Sequence, residues 1–236
     1  MSGSRRASPS VPDTLRLAHR GDWRHAPENS LEAMHAALAI PGCDGLEFDV
    51  RASSDGVPIL LHDPTLRRVQ GIDAVPSALT AAQCAEYGIT FLGDVLREIG
   101  CDPFLDVELK ERVPAAIDVL EIERGRVDDA GLPELRNAAI SSFDASILGW
   151  LAEIHPTWPR WLNAIALTPS TIERAVSRGC AAVSVKWPAI DEGSMARAHD
   201  AGLDVVAWTV RELDDYRRIS ALGAVAICAE DAALDG

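Results

Sequence analysis

Ionisable side chains in this chain stand on or just after short apolar runs. His19 and Arg20 follow "TLRLA", and the run "GLEFDVRA" carries Glu47 and Asp49 two residues apart. Residues two apart in a strand point to the same face, whereas the apolar residues between them point to the other. The two carboxylates are therefore predicted to face one side of a buried strand, next to an imidazole and a guanidinium.

A second run, "PFLDVELK", repeats this spacing with Asp106, Glu108 and Lys110. Three inward carboxylates are predicted to lie together: Glu47, Asp49 and Glu108. Such groups repel one another where the dielectric is reduced, unless some are protonated, cations pair with them, or a metal ion lies between them. All-oxygen ligation suits one divalent hard cation, Mg²⁺ or Ca²⁺. The alternative is a buried ion-pair network with Arg20, Lys110 and Lys186.

Two histidines belong to the same set. His19 ends a strand, and His62, followed by Asp63, comes directly after the apolar run "VPILL". Phosphoryl or acyl transfer near neutral pH needs one group to take a proton and another to give one, and imidazole can do both. We interpret the remaining histidines as surface residues: His25, His35, His155 and His199.

The composition restricts the class of protein. Hydrophobic residues make up 47% of the 236 residues, charged residues 25%, and the formal net charge is −14. This charge argues against non-specific binding to nucleic acid or anionic membranes, so an anionic substrate needs a local positive site. No apolar run approaches the roughly 18 residues of a membrane helix, and no apolar segment of an export signal follows Arg5 and Arg6. We expect a cytoplasmic protein without stable membrane insertion.

Strand-like and helical patterns alternate along the chain. Apart from "VPILLHD", which we interpret as an accessory strand, there are eight strands, each but the last followed by a helical segment. This predicts an α/β fold, a single-domain (β/α)8 barrel over residues 14–236, preceded by a disordered tail over 1–13. An open doubly wound sheet is the alternative, although no GxGxxG follows the first strand. In a barrel, the polar groups at the strand ends meet at one mouth.

Six segments in order resemble the glycerophosphodiester phosphodiesterase family: "AHRGDWRHAPENS", "LEFDV", "LLHDPTL", "LDVELK", "SSF" and "VVAWTV". The family pattern of His-Arg, Glu-x-Asp and His-Asp stands here as His19-Arg20, Glu47-x-Asp49 and His62-Asp63. The resemblance extends from about residue 15 to about residue 228. It implies a TIM barrel and the hydrolysis of a glycerophosphodiester to glycerol phosphate and an alcohol.

The resemblance also implies roles for individual residues. The metal ligands would be Glu47, Asp49 and Glu108, and the acid-base pair His19 and His62. The substrate-binding residues would be Arg20, Glu28, Asn29, Lys110, Lys186 and Trp208. Packing inside the barrel is an equal alternative for Trp208. The reaction implied can use a neighbouring hydroxyl of the substrate as nucleophile, forming a cyclic phosphate that water then opens.

The chain departs from the family pattern in three places. The segment after His62-Asp63, often an insertion that shapes substrate choice, is short here. Arg211 stands where Asn is common, and "ICAEDAA" replaces the usual Thr-Asp and proline after the last strand. Two alternative functions stay open: a related barrel phospholipase D or lyase acting on a lysophospholipid head group, and a non-catalytic phosphate-binding barrel. The oligomeric state cannot be predicted.

Overall fold

Parallel strands that follow one another along the chain lie side by side and close into a barrel. The computed structural model describes residues 14–127, 131, 133 and 135–236, so the predicted tail over 1–13 lies outside the described residues. Eight parallel strands form the barrel within this part of the chain: β1 (Leu15–His19), β2 (Gly45–Ala52), β4 (Phe104–Leu109), β5 (Ala138–Ser142), β6 (Arg160–Ala164), β7 (Ala182–Lys186), β8 (Asp204–Val210) and β9 (Ala226–Ala229). Pairing of β1 with both β2 and β9 closes the barrel. The predicted (β/α)8 barrel is confirmed.

The accessory strand is also present, as β3 (Pro58–Leu60), which pairs antiparallel with the end of β2. The Leu61 amide donates a hydrogen bond to the carbonyl of Asp49 (3.0 Å). This pairing folds the chain back over β2, and it places His62 at the mouth without adding a strand to the barrel.

The helices cover the outside of the barrel. They are α1 (Leu31–Leu38), α2 (Arg67–Gln70), α3 (Ala81–Glu86), α4 (Leu92–Glu98), α5 (Pro114–Gly125), α6 (Ala145–Ile154), α7 (Pro169–Ser177), α8 (Glu192–Asp200), α9 (Leu213–Ala221) and α10 (Asp231–Asp235). Ser30 caps α1, because its hydroxyl accepts a hydrogen bond from the Ala33 amide (3.2 Å). No helix among the described residues has both the length and the apolar character to cross a membrane.

The expectation that no helix follows the last strand is wrong, because α10 follows β9. Helices α2 and α3 were likewise not predicted from the sequence pattern. These three helices span four to six residues each, which is too short for a helical hydrophobic period to repeat. Their positions depend on contacts with the barrel and on caps, such as the capping box between Thr80 and Gln83.

The interior of the barrel is divided along its axis. An apolar cluster fills its amino-terminal part and comprises Leu17, Ala139, Trp161, Ala182, Val206, Ala226 and Cys228. The ring of Phe104 stacks on that of Trp161 there, with 5.4 Å between ring centroids. Towards the carboxyl ends of the strands the inward residues become polar and include Glu47, Asp106 and Glu108. The apolar part stabilises the barrel, so the polar side chains can be gathered at one end.

The turn after β1 depends on Gly21. Its backbone is left-handed (φ 82°), and a Cβ there would lie 2.6 Å from the carbonyl carbon of Ala33. The Asp22 amide donates to that same carbonyl (2.8 Å). The chain after His19 and Arg20 is thus held against α1 too closely for any side chain.

We predict that Gly21→Ala destabilises the protein more than Gly56→Ala does. Gly56 has nearly the same φ (80°), but a Cβ there meets nothing within 4 Å, so its substitution should cost only the left-handed strain of about 1–2 kcal/mol. At Gly21 the clash should add about 1–3 kcal/mol to the same strain. Urea unfolding of both variants measures the difference, and equal losses would contradict this account of the turn.

Candidate active site

A pocket of about 300 Å³ opens at the carboxyl ends of the barrel strands. Both candidate histidines and two of the three candidate metal ligands, Glu47 and Glu108, line this pocket. The complete lining consists of His19, Arg20, Glu47, His62, Asp106, Glu108, Lys110, Phe143, Asn163, Ile165, Ser184, Lys186, Trp208, Thr209 and Cys228. Active sites of (β/α)8 enzymes lie at this end of the barrel. The side chains that the sequence placed at separate strand ends therefore meet in one cavity.

Strand register brings the carboxylates together. Glu47 lies opposite Asp106, and Asp49 lies opposite Glu108, on the neighbouring strands β2 and β4. Each strand thus contributes two inward carboxylates, and the four lie side by side. Glu47, Asp49 and Glu108 each offer an oxygen within 4.8 Å of the others. Leu46, Phe48 and Val50 lie in the core outside the barrel, as their alternation with the carboxylates predicts.

Two cations lie among these four carboxylates. Lys110 Nζ is 2.7 Å from Asp49 Oδ1 and donates a hydrogen bond to Glu108 Oε1, while Arg20 Nε is 3.0 Å from Asp49 Oδ2. Burial favours the neutral form of Asp49, but the charges of Lys110 and Arg20 outweigh it and hold the pKa of Asp49 below its usual range. Two of the three cations of the predicted ion-pair network, Arg20 and Lys110, thus pair with the carboxylates, whereas Lys186 forms no ion pair with a carboxylate among the described residues.

Among the described residues, Glu47 forms no ion pair with a lysine or an arginine, and its only ion-pair contact there is with His19. No hydrogen-bond donor among the described residues reaches its buried Oε2, and burial together with the charges of Asp49 and Glu108 raises the pKa of Glu47 well above its usual value. Burial likewise raises the pKa of Asp106 to about 7. If all four carboxylates were ionised, the two cations would leave negative charge uncompensated, and the raised pKa values of Glu47 and Asp106 reflect this.

A divalent cation fits this arrangement. Its three candidate ligands offer only oxygen atoms, which suits a hard ion, and Glu47 supplies an oxygen that nothing else in the described chain satisfies. An ion there would balance the charge that Lys110 and Arg20 leave. The donor set is therefore compatible with Mg²⁺ or Ca²⁺.

Each candidate histidine is anchored through Nδ1 to a carboxylate. His62 Nδ1 lies 2.7 Å from Asp63 Oδ1, and His19 Nδ1 forms a short hydrogen bond with Glu230 Oε1. An ionised carboxylate can only accept, so Nδ1 carries the proton in both rings. The other ring nitrogen, Nε2, is then left for the pocket; that of His19 lies 3.8 Å from Glu47 Oε2.

The polar loop between β1 and α1 supports the site from behind. The Asn29 side-chain amide donates to Asp49 Oδ2 (2.9 Å), and its Oδ1 accepts from the Asp49 backbone amide (3.2 Å). Glu28 accepts from Arg20 (3.0 Å) and from Arg68 (2.6 and 2.7 Å). Glu28 and Asn29 thus contact residues of the site, but they are outside the described pocket lining.

Part of the pocket wall is aromatic and apolar. Trp208 packs edge-on against Phe143, with centroids 5.6 Å apart, and Lys186 Nζ lies 5.7 Å from the centre of the Trp208 ring. Trp208 both lines the pocket and packs against the apolar cluster inside the barrel, so the two alternatives for this residue do not exclude each other. Phe143 and Ile165 are exposed at the rim.

Several residues of this site were not among those predicted from the sequence. Asp106 has the spacing of its neighbours and could have been included on that basis. Glu230 and Phe143 stand directly after strands, a position typical of site residues in barrels. For Arg68, which donates to Glu28 and also to Asp63, no motif or spacing gave a signal.

Comparison with known proteins supports one family. The model of the glycerophosphoryl diester phosphodiesterase family matches residues 19–234. A glycerophosphodiester phosphodiesterase of Caldanaerobacter subterraneus is 44% identical over 55 residues, which are 23% of this chain and only 22% of that relative.

Two solved structures are similar over nearly their whole length. One is a glycerophosphodiester phosphodiesterase from Thermotoga maritima, with a TM-score of 0.76 and 25% identity, covering 94% of this chain and 96% of the other. The second is an Oleispira antarctica phosphodiesterase in complex with the product sn-glycerol-3-phosphate, with a TM-score of 0.77 and 25% identity, covering 91% and 92%.

We predict that Lys110→Met destabilises the metal-free protein by about 3–5 kcal/mol, because it leaves buried carboxylates without their cation. Lys186→Met is the matched control: this lysine lines the same pocket, but its side chain is exposed and lies over Trp208. Its loss should cost less than about 1 kcal/mol. Urea unfolding in EDTA measures both values, and a mild effect at Lys110 would argue against the buried ion pairs.

Proposed function

The chain belongs to the glycerophosphoryl diester phosphodiesterase family, and on that premise we propose that it hydrolyses glycerophosphodiesters to glycerol 3-phosphate and an alcohol. One observation carries the proposal: two imidazoles, each anchored through Nδ1, line one pocket together with Glu47 and Glu108 of a buried acidic triad. A pocket that only bound phosphate would need no acid-base pair. The Oleispira antarctica phosphodiesterase of the same fold is in complex with sn-glycerol-3-phosphate, which supports the substrate class.

In this proposal His19 and His62 carry the protons. One Nε2 takes the proton of the substrate hydroxyl that lies next to the phosphodiester, and that oxygen attacks phosphorus. The other imidazole, protonated, gives a proton to the departing alcohol, and a cyclic phosphate remains. Water then opens the ring with the roles reversed, so both histidines return to their starting states.

Glu47, Asp49 and Glu108 would hold one divalent cation. When bound, the ion supplies positive charge that offsets the charge developing on the phosphoryl oxygens. Arg20 would also offset charge on the phosphoryl oxygens, because its guanidinium lines the pocket and is oriented by ion pairs with Glu28 and Asp49. Lys110 adds a second fixed positive charge beside the triad.

Glycerol recognition would use polar atoms that have no partner in the described part of the chain. Asn163 Oδ1 and Trp208 Nε1 are both buried without a hydrogen-bond partner there, and both residues line the pocket. Hydroxyl groups can satisfy an acceptor and a donor at once. Lys186, beside Trp208 and at the mouth, would attract the phosphate.

The apolar rim favours a second candidate function. Phe143 and Ile165 are 45% and 60% exposed at the pocket mouth, where the acyl chain of a lysophospholipid would find an apolar surface. A phospholipase D that acts on a lysophospholipid head group would use such a rim. A substrate panel containing lysophosphatidylcholine beside glycerophosphocholine distinguishes the two functions by their kcat/KM.

We further propose that residues 14–236 act as one catalytic domain on a small-molecule substrate, without a nucleic-acid partner. The cytoplasmic location and the identity of the cation stay predictions. The net charge of −14 argues against nucleic-acid binding, and it implies that an anionic substrate is attracted by a local positive site and not by the whole molecule.

The first expected outcome is metal-dependent turnover. The wild-type protein should release glycerol 3-phosphate from glycerophosphocholine, lose this activity in EDTA and regain it with Mg²⁺ or Ca²⁺, because the triad is otherwise undercompensated. Glu47→Gln should weaken cation binding in calorimetry at least about tenfold, whereas Glu153→Gln on the exposed side of α6 should not. Full activity in a chelated, metal-free sample would contradict the metal site.

The second concerns the histidines. His19→Ala and His62→Ala should each lower kcat by about 10²–10⁴-fold, the usual contribution of general acid-base catalysis. His35→Ala, on the exposed face of α1, is the matched control and should keep wild-type kcat. Steady-state kinetics on glycerophosphocholine decides this, and wild-type turnover in either site variant would show that its histidine is structural.

A further inference from the structure

Arg211 and Glu230, which follow neighbouring strands of the barrel, meet in the folded protein. Arg211 follows β8 and donates hydrogen bonds to Glu230 Oε2 through Nε (2.8 Å), with its Nη2 2.7 Å from the same oxygen. The other carboxylate oxygen, Oε1, accepts from Nδ1 of His19. One carboxylate thus joins the guanidinium on one side to the imidazole on the other.

The side chain of Glu230 forms its hydrogen bonds with His19 and Arg211. It is 4% exposed, lies outside the described pocket lining and belongs to neither the acidic triad nor its cations. Burial favours a neutral carboxyl, but the hydrogen bond from His19 and the charge of Arg211 outweigh it and lower the pKa of Glu230. An ionised carboxylate held between two donors, one of them an imidazole that faces a catalytic pocket, is a costly arrangement for stability alone.

The backbone around Glu230 aims its side chain. The register between β8 and β9 shifts after Ala207, and such irregularities reorient side chains next to active sites. The Glu230 amide then donates to the carbonyl of Val210 (2.9 Å). The next residue, Asp231, has a left-handed backbone (φ 50°), which is strained outside glycine and is tolerated best by Asp and Asn.

We propose that Glu230, braced by Arg211, is a positioning residue that holds His19 with its proton on Nδ1 and its Nε2 directed into the pocket. The inference rests on the proposed function for its kinetic consequences, but its structural content does not. Without the carboxylate, the ring can rotate and its two neutral tautomers can exchange. Glu230 therefore acts through His19 and touches no substrate.

The test compares Glu230→Gln with Asp231→Asn. Gln keeps the shape of Glu but can offer an N–H to the imidazole, which favours the tautomer protonated on Nε2; the corresponding change in a Ser-His-Asp triad lowers kcat by roughly 10⁴-fold. We expect kcat to fall about 100-fold or more, with KM within about twofold. Asp231 also lies near Arg211 (3.6 Å) and does not contact His19, so D231N should keep wild-type kinetics.

A double variant distinguishes a loss of kcat that acts through His19 from a loss caused by disturbing the rest of the site. If Glu230 acts through His19, E230Q should change kcat little in a His19→Ala background, because coupled residues are not additive. A further 100-fold loss in the double variant, or an equal loss in D231N, would overturn the proposal. Thermal unfolding of each variant shows that the fold is retained.

Nitrogen-15 NMR of the histidine rings gives a readout that needs no turnover. The His19 resonances, identified by their loss in His19→Ala, should report a proton on Nδ1 in the wild type and a shift towards Nε2 in E230Q. An unchanged tautomer would overturn the proposal even if activity fell. If the wild type hydrolysed no glycerophosphodiester while the tautomer shifted, the proposed function would fail and the positioning role would stand.

Discussion

Excess negative charge, buried at the carboxyl end of the barrel, is the constraint on which the rest of the site depends. Glu47, Asp49, Asp106 and Glu108 are all buried, and charged groups are costly to bury unless they are paired. Lys110 and Arg20 compensate only part of that charge. Neighbouring side chains hold these charged groups in place: Glu28 orients Arg20, and Asn29 forms two hydrogen bonds with Asp49. Moving one of these groups would leave the charge of its partner buried and unpaired.

The barrel can carry this charge because its other end is apolar. Trp161 and Phe104 stack in the amino-terminal part of the interior, and the outward faces of the strands pack against the helices. The polar end is shaped by backbone conformations that most residues avoid. Arg20, Asn29 and Asp231 are the non-glycine residues with left-handed backbones in the described part of the chain, and all three adjoin the site, as strained residues often do at functional sites.

The two histidines have similar surroundings built in different ways. His62 donates to the carboxylate of the adjacent Asp63, which Arg68 holds from a helix five residues further on. His19 donates to Glu230 at the other end of the chain, which Arg211 holds. Each ring thus has a carboxylate behind it and an arginine behind the carboxylate. The same chemistry is local for one imidazole and depends on barrel closure for the other.

The sequence by itself determined which residues share a face. Alternation along a strand is a local property of the backbone, so the inward direction of Glu47, Asp49 and Glu108 could be predicted without a structure, as could the eight strands. Contacts between distant segments could not. Register between β2 and β4 decided which carboxylates are opposed, and the pairing of β1 with β9 decided that Glu230 reaches His19 across 211 positions. Hydrophobic periodicity reports how a segment meets the core, whereas a hydrogen bond between two ends of a chain exists only once the sheet has closed and brought them together.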